Sequence, residues 1–167
     1  MICPTLLTLI AALSLTTATP VKRTDAYLLH AKNSPDNCLG TTGDLYNGIS
    51  LQNVPCSEAE TNPRFKGKWE IVRGNNENGI RLSGTDYCLD ATLPLTDTGD
   101  ITLWTCLPGT AQQTVACIDD DHIALTDQNS CLDFNAGGCG QFTCAPGRRA
   151  CGTGPDALAG GQEWTVV

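Results

Sequence analysis

The residues most able to do chemistry are two aspartates that end the same repeated phrase. Residues 79–90 and residues 122–133 share Ile, Leu, Cys, Leu and Asp at identical spacing. An ionised carboxylate is an acceptor-only group that takes two donor protons in strong, charge-assisted hydrogen bonds. Asp90 and Asp133 are therefore candidate ligand-binding residues, and the alternative for Asp90 is that it caps a turn. A fainter copy of the phrase, at residues 29–40, ends in Gly40.

Three copies of one phrase indicate a repeat architecture, in which no unit buries its apolar face alone. Residues 80–82, 101–103 and 164–166 alternate apolar and polar side chains, as half-buried strands do. Gly-rich turn signals separate these stretches, and no segment has the pattern of a long amphipathic helix. The sequence predicts an all-β protein, and three-fold repetition favours a β-trefoil of three repeats. Trp69 and Trp164 begin equivalent strands and are predicted to lie in the core.

The start of the chain has the features of a secretory signal. Residues 6–15 are mainly apolar and are followed by small residues at 16–18. As a helix this run is only about 15 Å long, half of the ~30 Å hydrocarbon core, so it does not predict an anchor. We expect a signal peptide at residues 1–18, a short pro-segment to residue 23 and a single domain at residues 24–167. The product is predicted to be secreted and extracellular.

The charge balance excludes two classes of partner. The chain has 10 basic and 18 acidic residues, and loss of residues 1–23 would remove two basic residues and no acidic one. A strongly acidic protein lacks the Lys and Arg side chains on which affinity for nucleic acids largely depends. The same argument disfavours anionic membranes, and no later stretch is long and apolar enough to insert into one. The sequence therefore predicts neither nucleic-acid binding nor membrane insertion.

Cysteine spacing follows the repeats. The first two intervals are both 18 residues and the third is 13, which predicts one disulfide inside each repeat: Cys38–Cys56, Cys88–Cys106 and Cys131–Cys144. Such bridges suit an oxidising compartment. Cys139–Cys151 is a candidate fourth bridge, and Cys117 is left over. A zinc site is the alternative, but the chain has no Cys-x-x-Cys pair and only two histidines, so no metal site is expected.

The order of three short motifs resembles the ricin B-chain type of lectin domain. Residues 88–90 are Cys-Leu-Asp, residues 103–106 are Leu-Trp-Thr-Cys, and residues 162–164 are Gln-Glu-Trp. That family is a β-trefoil whose repeats carry Cys-x-Asp, Leu-Trp-x-Cys and Gln-x-Trp elements. The resemblance covers most of residues 25–167. It is strong in the second repeat, partial in the third and weak in the first.

By this resemblance, the carbohydrate-binding set of the second repeat is Asp90, Trp104, Gln112 and Gln113. Sugar recognition needs acceptors for hydroxyl groups together with a flat apolar surface for the C–H face of the ring, which a carboxylate and an aromatic side chain supply. Alternation places Trp104 on the face opposite Ile101 and Leu103, so it faces solvent if they face the core. The alternatives are that Trp104 is a core residue and that Gln113 is partly a structural strut.

The other two repeats depart from the motif. In the first, the family's Asp, Trp and Gln positions hold Gly40, Val54 and Gly67, so we expect no sugar site there. The third offers a second candidate carbohydrate site made of Asp133, Phe142 and Gln162. Its extra segment at residues 145–154 is expected to fold over that pocket or to remodel it.

No catalytic set stands out. Neither histidine has a nucleophile in a recognised frame, and the run of aspartates at residues 119–121 lacks the spacing of an EF-hand. We expect no enzyme activity and no cofactor. The favoured hypothesis is a secreted lectin that binds galactose-type or related sugars mainly through its second repeat, with glycans as partners and an undetermined oligomeric state. The alternative is a β-trefoil that has lost sugar binding and acts by protein contacts, as a secreted protease inhibitor or effector.

Overall fold

A computed structural model describes residues 25–72, 74–95, 99–117, 121–128, 130–133, 147–149 and 159–167. The described strands are β1 Ala26–Ala31, β2 Asn37–Thr42, β3 Ile49–Ser50, β4 Gln52–Pro55, β5 Phe65–Lys66, β6 Lys68–Glu70, β7 Gly74–Asn76, β8 Arg81–Leu82, β9 Tyr87–Ala91, β10 Gly99–Thr105, β11 Val115–Cys117, β12 Ile123–Leu125, β13 Cys131–Asp133, β14 Gly147–Arg149 and β15 Trp164–Val166. Two short helices, α1 Cys56–Thr61 and α2 Ala159–Gln162, complete the described elements. The fold is the predicted all-β arrangement.

Several predicted features lie outside the described residues. These are the signal peptide and pro-segment at residues 1–23, and the side chains of Cys139, Phe142, Cys144 and Cys151. Of the extra segment at residues 145–154, the structure describes the backbone of β14 alone.

The two ends of the domain meet in one sheet. Strand β1 pairs antiparallel with β15, with Leu29 opposite Val166 and Ala31 opposite Trp164. It also pairs with β2 and β6 of its own repeat. The first strand therefore joins the first and third repeats, as expected where each repeat needs its neighbours to cover its apolar face.

The first two repeats use one strand register. In the first repeat, β2 pairs with β4, and Cys38 lies opposite Val54. In the second, β9 pairs with β10, and Cys88 lies opposite Trp104. Val54 and Trp104 are therefore equivalent positions, as the sequence alignment of the repeats predicts.

Disulfides close these two hairpins. The predicted bonds Cys38–Cys56 and Cys88–Cys106 are both confirmed. Closure of a loop of this length contributes about 3 kcal/mol in the chain-entropy account. Cys131 is also disulfide-bonded, but its partner is not among the described side chains, so the Cys131–Cys144 and Cys139–Cys151 pairings stay predictions.

Two buried tryptophans occupy equivalent core positions. Trp69 and Trp164 are fully or almost fully buried, and each indole N–H donates a 3.0 Å hydrogen bond to a backbone carbonyl, that of Leu39 and of Leu132 respectively. The prediction that both belong to the core is confirmed. The third equivalent position holds Val115, which is also buried but smaller, and a cavity of about 20 Å³ lies against it.

Candidate functional site

The long strand β10 separates core from surface by simple alternation. Ile101 and Leu103 are buried in the core, whereas Trp104 is 41% exposed. The tryptophan ring is therefore a surface feature and not a core residue. It lies on the same face of the strand as Thr102, because successive side chains of a strand point to opposite faces.

A depression of about 440 Å³ opens beside the Trp104 ring. Three of the four predicted residues of this repeat line it, namely Asp90, Trp104 and Gln112. Ser50, Asp100 and Thr102 line it as well. The depression is thus polar around its hydroxyl and carboxylate groups and apolar on the tryptophan side, the combination that a sugar ring requires.

Asp90 is the buried acceptor of this site. It lies directly opposite Thr102 in the β9–β10 ladder, and it is only 5% exposed. Its Oδ2 accepts a 2.9 Å hydrogen bond from the side-chain amide of Gln113. Burial raises the pKa of the Asp90 carboxyl, and the Gln113 hydrogen bond acts against that rise because it favours the charged form.

Gln113 supports Asp90 from behind and does not line the depression. It is 1% exposed, and its Nε2 donates to Asp90 and to the carbonyl of Thr105 at 3.1 Å. Its Oε1 accepts a 2.7 Å hydrogen bond from the backbone N–H of Leu107. The amide is therefore fully used by the protein, which fixes the carboxylate in one orientation.

Local turn geometry explains why adjacent glutamines have different roles. The N–H of Gln113 donates to the carbonyl of Thr110, which closes a turn before β11. The carbonyl of Gln112 accepts a 2.9 Å hydrogen bond from the N–H of Ala91, next to Asp90. This bond links the turn to β9. The Gln113 side chain is buried, whereas the Gln112 side chain is half-buried and lines the depression.

The first repeat supplies one wall of the second repeat's depression. Strand β3 pairs with β10, which places Ser50 opposite Thr102. The Asn47 side chain accepts hydrogen bonds from the N–H and the hydroxyl of Thr105, at 2.8 and 2.9 Å. Gly48 has a φ of 89°, and a Cβ there would lie 3.7 Å from the Trp104 ring. A glycine at this position therefore keeps the turn unstrained beside the ring.

The first repeat's own equivalent site is filled by Phe65. This side chain is 7% exposed, and its ring lies between Gly40 and Gly67, the positions that hold Asp90 and Gln113 in the second repeat. A methyl group added at either glycine would overlap the ring. The ring therefore occupies the space that the Asp–Gln pair takes in the second repeat.

The third repeat is described in part. Asp133 and Gln162 are buried to the same degree as Asp90 and Gln113. Phe142, the third member of that candidate site, lies outside the described residues. Strand β14 of the extra segment pairs with β13, next to Asp133, and also with β10, where Gly147 lies opposite Asp100. The segment thus reaches the second repeat as well as the third.

Sequence reasoning missed six residues that line the depression, namely Gly48, Ser50, Thr92, Leu93, Asp100 and Thr102. Asp100 could have been predicted, because it lies two residues before Thr102 in β10 and side chains two residues apart share one face of a strand. Thr92 could have been predicted in the same way, because it lies two residues after Asp90. Gly48 and Ser50 carried no usable signal, because their contact with the second repeat depends on the pairing of β3 with β10 across about 50 residues.

No group of three or more His, Cys, Asp or Glu side chains in the described part of the chain is placed to hold a metal ion. No helix within the described ranges is long and apolar enough to cross a membrane.

Comparison with known proteins agrees with the geometry. A search of the solved structures finds a designed three-fold symmetric protein, ThreeFoil, with a TM-score of 0.65, 16% identity, and coverage of 85% of this chain and 97% of that one. At this identity the likeness concerns the fold alone. The comparison with curated proteins found no significant match. The family model of the ricin-type β-trefoil lectin domain matches residues 26–154. The chain therefore belongs to the ricin-type β-trefoil lectin family.

Proposed function

We propose that this protein is a secreted, non-enzymatic lectin that binds galactose-type or related sugars through its second repeat. The observation that carries the proposal is the exposed Trp104 ring beside the buried Asp90 carboxylate in one depression. Membership of a carbohydrate-binding family supports the general function. The confirmed disulfides suit an extracellular location.

Each residue has a distinct role in this proposal. The Trp104 ring stacks against the apolar face of the sugar, which buries flat surface at little entropic cost. Asp90 accepts hydroxyl protons, and a hydrogen bond to a charged group contributes about 1.5–3 kcal/mol. Gln112 contacts the sugar from the turn that precedes β11. Gln113 is a positioning residue, because its amide is used in holding Asp90.

A site of this kind binds a single sugar weakly. Small, well-hydrated ligands gain little net contact energy, so we expect a Kd between about 1 mM and tens of µM. Clustered glycans or oligomerisation would raise the apparent affinity by making later contacts intramolecular.

A glycan array tests the proposal. The wild-type protein should bind galactose-type glycans, and the variants Asp90→Asn and Trp104→Ala should each lose most of that signal. Leu107→Ala is the matched control for Trp104→Ala, because Leu107 is exposed to a similar degree, 43%, but does not line the depression. An array on which wild type binds no glycan, combined with inhibition of a protease, would favour a role through protein contacts instead.

A further inference from the structure

Two of the aromatic side chains that the structure describes are exposed, those of Tyr46 and Trp104. Tyr46 is 60% exposed and Trp104 is 41% exposed. The other described aromatic side chains are buried or half-buried. A single exposed apolar side chain is ordinary, but neighbouring ones mark a binding surface.

Strand pairing brings these two positions together. In the β3–β10 ladder Ile49 lies opposite Leu103, and the N–H of Gly48 donates a 2.8 Å hydrogen bond to the carbonyl of Leu103. Continuing this register by one residue places Gly48 opposite Trp104. Opposite residues are about 5 Å apart and two further steps along the chain add at most about 7 Å, so the Cα atoms of Tyr46 and Trp104 lie within about 12 Å of each other. Two linked sugar rings can bridge such a separation.

The turn that carries Tyr46 is anchored to the second repeat on both sides. The Asn47 side chain accepts hydrogen bonds of 2.8 and 2.9 Å from Thr105. The carbonyl of Leu45 accepts a 3.4 Å hydrogen bond from the hydroxyl of Tyr87. Tyr46 lies between these two anchored residues, so its backbone needs little ordering when a ligand binds, and ordering is one of the main costs of binding.

Gly48 keeps the surface between the two aromatic residues open. A Cβ at this position would lie 3.7 Å from the Trp104 ring, so a longer side chain would lie against the ring. Because glycine has no side chain, residue 48 leaves this edge of the indole uncovered. Tyr46 does not line the depression itself, so a ligand would reach it only by extending beyond the depression.

We propose that Tyr46 forms a second aromatic subsite, which stacks against the sugar residue next to the one held by Asp90 and Trp104. The ligand class is a galactose-containing disaccharide or longer glycan rather than a single sugar. The tyrosine ring offers a flat surface to the C–H face of the second sugar, while its hydroxyl group stays in water. This inference rests on the proposed sugar-binding function.

Calorimetric titration with galactose-containing disaccharides tests the subsite. The probes are methyl β-galactoside and a set of disaccharides in which a second hexose is joined to galactose at each hydroxyl position in turn. Wild type should bind the disaccharide whose linkage directs the second ring towards Tyr46 about two- to tenfold more tightly than methyl β-galactoside, the gain expected for one added aromatic contact. Tyr46→Ala should remove that gain, and Tyr46→Phe, which keeps the ring, should retain it.

The control and the contrary outcomes separate this inference from the proposed function. Val72→Ala shortens another exposed apolar side chain, 48% exposed and outside the depression, and should keep the gain. Equal affinity of wild type for methyl β-galactoside and for every disaccharide would overturn the aromatic subsite while leaving the lectin function intact, and so would a gain that survives Tyr46→Ala. If wild type binds none of these probes and no other glycan, both proposals fail.

Discussion

The first and second repeats share a strand register but fill the same space in different ways. In the first repeat, Phe65 packs its ring between Gly40 and Gly67. In the second, Asp90 and Gln113 occupy the equivalent positions and hydrogen-bond to each other. Each hairpin is closed by a disulfide across 18 residues.

The difference shows that a trefoil repeat can fill this space either with an apolar ring or with a hydrogen-bonded polar pair. An aromatic ring gives apolar burial and leaves no acceptor for a ligand. A buried carboxylate provides acceptors, but its burial disfavours the charged form, which is why the pKa of Asp90 is raised. The second repeat therefore keeps a buried carboxylate where the first has an apolar ring, which is consistent with the proposed role of Asp90 in binding.

The largest effect should follow removal of the ring that fills the first repeat. Phe65→Ala deletes a buried aromatic side chain and leaves a cavity, so we expect the free energy of unfolding to fall by about 3–5 kcal/mol. Guanidinium denaturation measures this change, and Phe65→Leu serves as a milder variant if the alanine form does not fold. Trp104→Ala is the comparison, because an exposed side chain should change stability by less than about 1 kcal/mol. Equal losses in the two alanine variants would mean that Trp104 is also structural.

A smaller effect is expected when the support behind Asp90 is removed. Gln113→Ala deletes the partners of several buried groups and should lower the free energy of unfolding by about 1–3 kcal/mol. It should also weaken sugar binding, because the carboxylate loses the hydrogen bond that orients it. Gln112→Ala is the matched control: it should weaken binding with little change in stability. Normal binding by Gln113→Ala would show that Asp90 needs no such support.

The smallest expected effect is a gradual dependence of stability and of sugar affinity on pH. Because the pKa of Asp90 is raised in the folded protein, its stabilising contribution is present at low pH and is lost as pH rises through that pKa. Sugar binding has the opposite dependence, since it needs the ionised carboxylate and should weaken as pH falls through the same value. Parallel titrations of stability and affinity test both signs. Asp90→Asn should remove this component from the stability curve, and an unchanged pH profile of stability in that variant would assign the titration to another group.

Sequence patterns predicted those features that depend on residues close together in the chain. Alternation along residues 101–104 was enough to place Trp104 on the surface, and the equal intervals between cysteines were enough to pair Cys38 with Cys56. Contacts between distant segments could not be predicted in this way. The two glycines of the first repeat indicated the loss of a site, but nothing in the sequence identified Phe65 as the residue that fills it. The contact of Ser50 with the depression could not be predicted either, because it depends on the pairing of two strands that are far apart in the sequence.

The central claim is that the second repeat binds sugar and the first does not, and an NMR titration tests it most directly. Galactose should be added to ¹⁵N-labelled protein while backbone amide and indole signals are followed. The account predicts shifts of the Trp104 indole and of the amides around Asp90 and Thr102, with no change around Gly40, Phe65 and Gly67. Shifts centred on the first repeat, with Trp104 and Asp90 unmoved, would contradict it.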